Sequence, residues 1–156
     1  MAKGRGGSLV NVVLIIMIAA VLAAVAIPKY IDTRYRAKQE AAMNVLSAVR
    51  SAIDDYHDNS AKKGKSGFPV IGPQADDLVS DTRTSIFPSG NLPPSPVYGN
   101  PETGYGPGSV IAAANNPIGG ADFNTDYAYV YNASTGEIRF TDPAVDPITG
   151  KPWNTF

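Results

Sequence analysis

"GRGGSLVNVVLIIMIAAVLAAVAIPKY" spans residues 4–30. Residues 9–27 within it form a nineteen-residue apolar run interrupted only by Asn11. Wound as a helix at 1.5 Å per residue, such a run reaches roughly 30 Å, the thickness of a bilayer hydrocarbon core. Its β-branched residues do not oppose a helix in lipid, where an unpaired backbone amide is costly. Lys3 and Arg5 precede the run, and on their charge the positive-inside rule puts the N-terminus in the cytoplasm and the rest outside.

Three fates fit this stretch. It reads as a cleaved secretory signal, with Lys3 and Arg5 as the basic region and Ala24-Val25-Ala26 as a small-x-small cleavage site. The run, however, exceeds the roughly 7–15 apolar residues usual in such signals. It also reads as a plain signal anchor. The third reading needs the helix to continue beyond the membrane, and the pattern continues it. Ala42, Val45, Leu46, Val49, Ala52, Ile53 and Tyr56 recur at steps of three and four, one apolar face of an amphipathic helix, and Ile31 and Tyr35 extend it backward. Arg34, Arg36, Lys38, Glu40, Arg50 and Asp54 mostly point elsewhere. Neither glycine nor proline occurs between Lys29 and Ser60. The stop falls in "DNSAKKGKSG", which holds Gly64 and Gly67. Pro28 has no N–H and crowds the preceding turn, so a kink, loosening or break of the long helix is expected there.

One long helix, half apolar and half amphipathic, followed by a small glycine-rich domain resembles a type IV pilin or a type II secretion pseudopilin. The likeness runs through "KGRGGSLVNVVLIIMIAAVLAAVAIPKY" and more loosely to Tyr56, about a third of the chain. The family has a short basic leader ending in glycine, then an apolar helix with a proline near its end. Its spacing from Pro28 places the last leader residue at Gly6 and the first mature residue at Gly7. The resemblance implies that a prepilin peptidase cuts after Gly6. It also implies that the helix first holds the subunit in the inner membrane, beside an assembly platform, and then packs against other copies or related subunits in a filament. The chain departs from the family pattern twice. Gly7 replaces the usual phenylalanine or methionine, and Asn11 stands where the family carries a glutamate that pairs with a neighbour's amino terminus. An ammonium in hydrocarbon is costly unless paired, and an asparagine supplies no charge. Asn11 therefore points to an altered subunit contact and to a minor subunit, or to a polar residue that merely finds a helix partner.

The expected fold is α+β, with the helix packed on a small antiparallel sheet. The expected divisions are a leader (residues 1–6), an apolar helix (7–28), its amphipathic continuation (29–60) and a loop-rich β domain outside the inner membrane (61–156). Twelve of the thirteen prolines follow Ser66. "YAYVYN" (residues 127–132) and "EIRF" (137–140) read as strands joined by "ASTG". They resemble the strand–turn–strand that ends pseudopilins. Tyr127, Tyr129 and Tyr131 share one face of the first strand. "SIFPSG" (85–90) and "GSVIAAA" (108–114) each suggest a further short element.

The chemistry on offer is sparse. There is no cysteine, which excludes disulfides, thiolate metal sites and thiol nucleophiles. His57 is the sole histidine and sits near the expected helix end, a capping position. Asp54-Asp55 and Asp76-Asp77 read as solvated surface, and no enzyme is expected. The residues from Ser66 onward carry three basic and nine acidic side chains, net −6, which argues against nucleic acid. No cofactor is required. A calcium ion on Asp142 and Asp146, joined by Asp122 and Asp126, is one option for a loop without disulfides, although Asp-Pro pairs are ordinary turn formers. "NAS" (residues 132–134) fits a bare glycosylation sequon, and "KKGK" (62–65) reads as a solvated loop or a contact to anionic lipid. Besides the filament subunit, a monomeric membrane-anchored envelope domain that binds a ligand or wall polymer remains open.

Overall fold

The computed structural model describes residues 6–64, 67–72, 77–80, 83–99, 102 and 104–156, and side chains from residue 9 onward. Lys3, Arg5, Lys65 and Asp76 lie outside the described residues. The chain divides into two compact units, Met1–Ala37 and Lys38–Phe156.

One helix, α1 (Gly6–Lys62), runs through 57 residues. It does not end at Pro28, so the break expected there is absent and the backbone stays helical on both sides. Proline removes a single N–H bond, to the carbonyl four residues back, and the surrounding turns keep theirs. In the first unit, the side chains of residues 9–37 are all exposed. An eighteen-residue window there has a mean hydropathy of 3.0, long and apolar enough to cross a membrane.

In the second unit α1 supplies the spine of a core. Ala42, Leu46, Val49 and Ile53 are fully or almost fully buried, and Met43 and Val45 pack partly against the same cluster. This is the stripe that the three-four spacing foretold, because residues three and four apart share a helix face. Ile31 and Tyr35, read as its backward extension, are each 44% exposed.

Three strands follow: β1 (Val110–Ala112), β2 (Tyr129–Asn132) and β3 (Glu137–Phe140), in the spatial order β1-β2-β3. β2 and β3 are antiparallel, with Tyr129 opposite Phe140 and Tyr131 opposite Ile138. β1 is parallel to β2. The sheet is therefore mixed, not antiparallel as expected. The connection lengths give the reason. Residues 133–136 allow only a tight reversal, whereas residues 113–128 exceed the dozen or so that a parallel crossover needs. Gly136 closes the reversal at φ +73°. A Cβ there would strike the Phe68 ring, so the position needs glycine for conformation and for space. "SIFPSG" contributes only a bridge between Val79 and Phe87.

Tyr129, Tyr131, Ile138 and Phe140 form the inner face and join the helix stripe, Leu78, Leu92, Val97 and Trp153 in one core. Both buried phenols are satisfied: Tyr129 donates to the Pro93 carbonyl at 2.8 Å and Tyr131 to the Pro69 carbonyl at 2.7 Å. Burial pushes both phenols upward, so they remain neutral donors. Tyr127 lies just before β2, half-buried, with its ring stacked on Tyr105 at 4.5 Å.

Candidate functional site

Among the described residues, most of the exposed large apolar side chains lie on the first half of α1. Leu9, Val10, Leu14, Ile15, Met17, Val21, Leu22 and Val25 are all more than half exposed. Apolar residues occur on every side of the helix, because the run has no polar period. A helix hydrophobic all round is at home in lipid or among other apolar helices. Asn11 is exposed within this surface. Its amide would have to find a hydrogen-bonding partner in any dry environment. Gly6 and Gly7 open α1, so the peptide bond expected to be cut lies in its first turn.

Three aspartates of the second unit, Asp122, Asp142 and Asp146, accept hydrogen bonds from their own loops. Asp122, in a short 3-10 turn (Gly120–Asp122), accepts from the N–H groups of Ala114 at 2.8 Å and Gly119 at 2.8 Å, and from the Asn115 amide at 3.0 Å. The Gly119 N–H does most to hold this carboxyl below the usual range, against the opposing effect of burial, with Ala114 and Asn115 adding to it. Asp146 is wholly buried. Burial alone would raise its pKa. The Thr149 hydroxyl at 2.6 Å and the N–H groups of Ile148 and Thr149 outweigh it, so the carboxyl is held below its ordinary value. Asp142 accepts from the Ala144 N–H at 2.8 Å. Among the described residues, no three acidic or imidazole side chains converge as a metal site would require. Asp142 and Asp146, the pair named for calcium, accept hydrogen bonds within the loop between β3 and the final 3-10 turn (Trp153–Thr155).

His57 and Asn132 have structural partners as well. The His57 ring stacks on Phe68 at 4.3 Å and lies 3.8 Å from the Asp58 carboxylate. Asn132 of the sequon is 5% exposed; its amide donates to the Asn115 carbonyl and its oxygen accepts from the Ser134 N–H and hydroxyl. Lys62 and Lys63 are exposed. A cavity of about 220 Å³ lined by Tyr98, Gly99, Thr125, Thr141 and Asp142 holds one carboxylate and no imidazole. Its Thr141 hydroxyl is bonded to the Tyr127 carbonyl.

Arg50 lies off the buried stripe and is exposed, as its place in the pattern implies, but sequence reasoning missed what it holds. The guanidinium donates to the Ile138 carbonyl at 3.0 Å and to the Phe156 carbonyl, joining α1, β3 and the final residues of the second unit. Desolvation is the chief cause that lowers its pKa; Arg139 lowers it further and Glu137 opposes the shift. Arg139 itself is bound to Glu137 at 2.6 Å. The only hint in the sequence was that Arg50 directly follows the buried Val49.

No protein-family model, curated protein or solved structure matches this chain.

Proposed function

We propose that this chain is a structural subunit of a type IV filament, either a type II secretion pseudopilus or a type IV pilus. In this reading a prepilin peptidase cuts after Gly6, and the mature chain assembles through α1. The observation that carries the proposal is the composition of α1. One uninterrupted helix is apolar on every side over residues 9–27, and from Ala42 to Ile53 it has a single stripe that completes a folded core. A mere anchor needs only the first part. A subunit whose helix passes from lipid into a bundle of like helices needs both, since the apolar surface must be covered wherever it goes.

The N-terminus is cytoplasmic in this reading and the second unit lies outside the inner membrane. Flanking charge alone does not carry that orientation: Lys29, Arg34, Arg36 and Lys38 follow the span, against Lys3 and Arg5 before it. Long domains translocate largely regardless of charge, and residues 38–156 are such a domain. The partners are other copies or related subunits, the peptidase and the membrane assembly platform. Asn11, lacking the charge to pair with a neighbour's ammonium, favours a minor subunit over a self-polymerising major one.

The deciding experiment is the N-terminal mass of the protein isolated from its native envelope. A start at Gly7, methylated or not, is expected. A start at Ile27 makes the apolar run a discarded export signal and ends the filament reading. A start at Met1 leaves a monomeric anchored envelope domain.

A further inference from the structure

Directly after the apolar run, α1 carries Lys29, Tyr30, Arg34, Tyr35 and Arg36, all with exposed side chains. At roughly 100° per residue, Lys29 and Arg36 fall on one side of the helix and Arg34 on the other, so cations stand on two sides of it. Their spread along the axis is about 10 Å at 1.5 Å per residue. That is comparable to one headgroup layer, roughly 5–8 Å, because lysine and arginine stems reach several ångströms along the helix. The Arg34 guanidinium sits over the Tyr30 ring, 5.7 Å from its centre, which holds it against the helix beside the apolar run. Tyrosines are residues of the membrane–water boundary. Among the described residues, none of these three cations is in an ion pair. Asp32 is the one acidic side chain between Lys29 and Arg36.

We propose that these cations bind the headgroups of anionic phospholipids and so set the depth at which α1 sits before it leaves the bilayer. Charge complementarity commits the occupant: phosphate oxygens of lipids packed around the helix can meet cations on opposite sides at once, as a single docked protein face cannot. The inference rests on residues 9–27 crossing a bilayer and is independent of filament assembly. Its consequence for the proposed function is a holding contact. Extraction into a filament must break these lipid contacts, and bilayers rich in neutral lipid would release the subunit more readily.

The test uses the full chain reconstituted in bilayers of equal phosphatidylglycerol and phosphatidylcholine, extracted in mild detergent, with retained lipids counted by native mass spectrometry. One cation at the surface favours an anionic headgroup by about five-fold, so three cations offset by Asp32 should give phosphatidylglycerol a preference of at least about ten-fold. The triple variant Lys29→Gln/Arg34→Gln/Arg36→Gln should bring the two lipids close to parity. Arg83→Gln/Lys151→Gln, two exposed cations of the second unit, should leave the preference intact. Equal retention by the unaltered chain would overturn the proposal, as would a preference that survives the triple variant. Release of the unaltered chain from membranes by alkaline carbonate would overturn the span itself, whatever the lipid count.

Discussion

Two stretches of the same helix meet opposite fates. Residues 9–27 keep almost every apolar side chain exposed, while Ala42, Leu46, Val49 and Ile53 lose nearly all their exposure. Both stretches are helical and rich in aliphatic residues. They differ in arrangement. The first is apolar on all sides, so no single protein face can cover it, and it calls for a solvent of its own kind. The second confines its apolar residues to one stripe, so one small sheet is enough. Helicity itself says little about what a segment is for; the angular distribution of its side chains says more.

The contrast can be broken from either side. The largest effect is expected at Leu46. Leu46→Ala removes side-chain volume from the centre of the core and should cost about 2–5 kcal/mol, read by denaturant unfolding of the full chain in micelles. Leu14→Ala, in the exposed half, should leave that midpoint unmoved. Ile18→Arg should reverse the pattern. A charge at the centre of the span costs about 3 kcal/mol of membrane insertion, seen as chain shifting from the membrane pellet to the soluble fraction, while the unfolding midpoint of the second unit stays in place. Equal effects of both changes on both readouts would abolish the distinction between the halves.

Smaller changes sharpen it. Arg50→Met leaves the Ile138 and Phe156 carbonyls without their shared donor. The expected loss is about 1–2 kcal/mol, checked by unfolding and by faster amide exchange in β3. Asn11→Leu removes the one polar group in the apolar half. It should weaken helix–helix association in bilayers by only about 0.6 kcal/mol, measured by energy transfer between labelled copies. A gradual pH effect completes the series. Asp122 and Asp146 are held below their ordinary pKa by hydrogen bonds that burial only partly opposes. Their stabilisation is therefore complete above the usual carboxylate range, about pH 4, and drains away as the pH falls through their lowered folded values. Melting temperature followed downward from neutral pH should fall in that window. Asp146→Asn should flatten part of the slope.

Much of this was legible in the residues. The buried stripe follows from steps of three and four, and the β2–β3 hairpin from two alternating runs around a turn ending in Gly136. Both signals are local, and local chemistry sets them. The parallel pairing of β1 was not legible, because it depends on where a long, irregular connection returns. The partners of Arg50 were not legible for a similar reason: the Ile138 and Phe156 carbonyls at its fork are distant in sequence. The sequence leaves Asp142 and Asp146 open between a calcium site and ordinary turn formation. Only their hydrogen bonds show carboxylates clipping their own loops.

By itself the sequence determined that this chain has one long helix, that its first half suits lipid, and that its second half packs on something small. Apolar periodicity is a property of neighbours along the chain, and backbone geometry converts it directly into faces. The tertiary structure alone decided the mixed sheet and the clamp at Arg50. Each of these depends on groups far apart in sequence meeting within hydrogen-bond distance, and no local pattern encodes such a meeting.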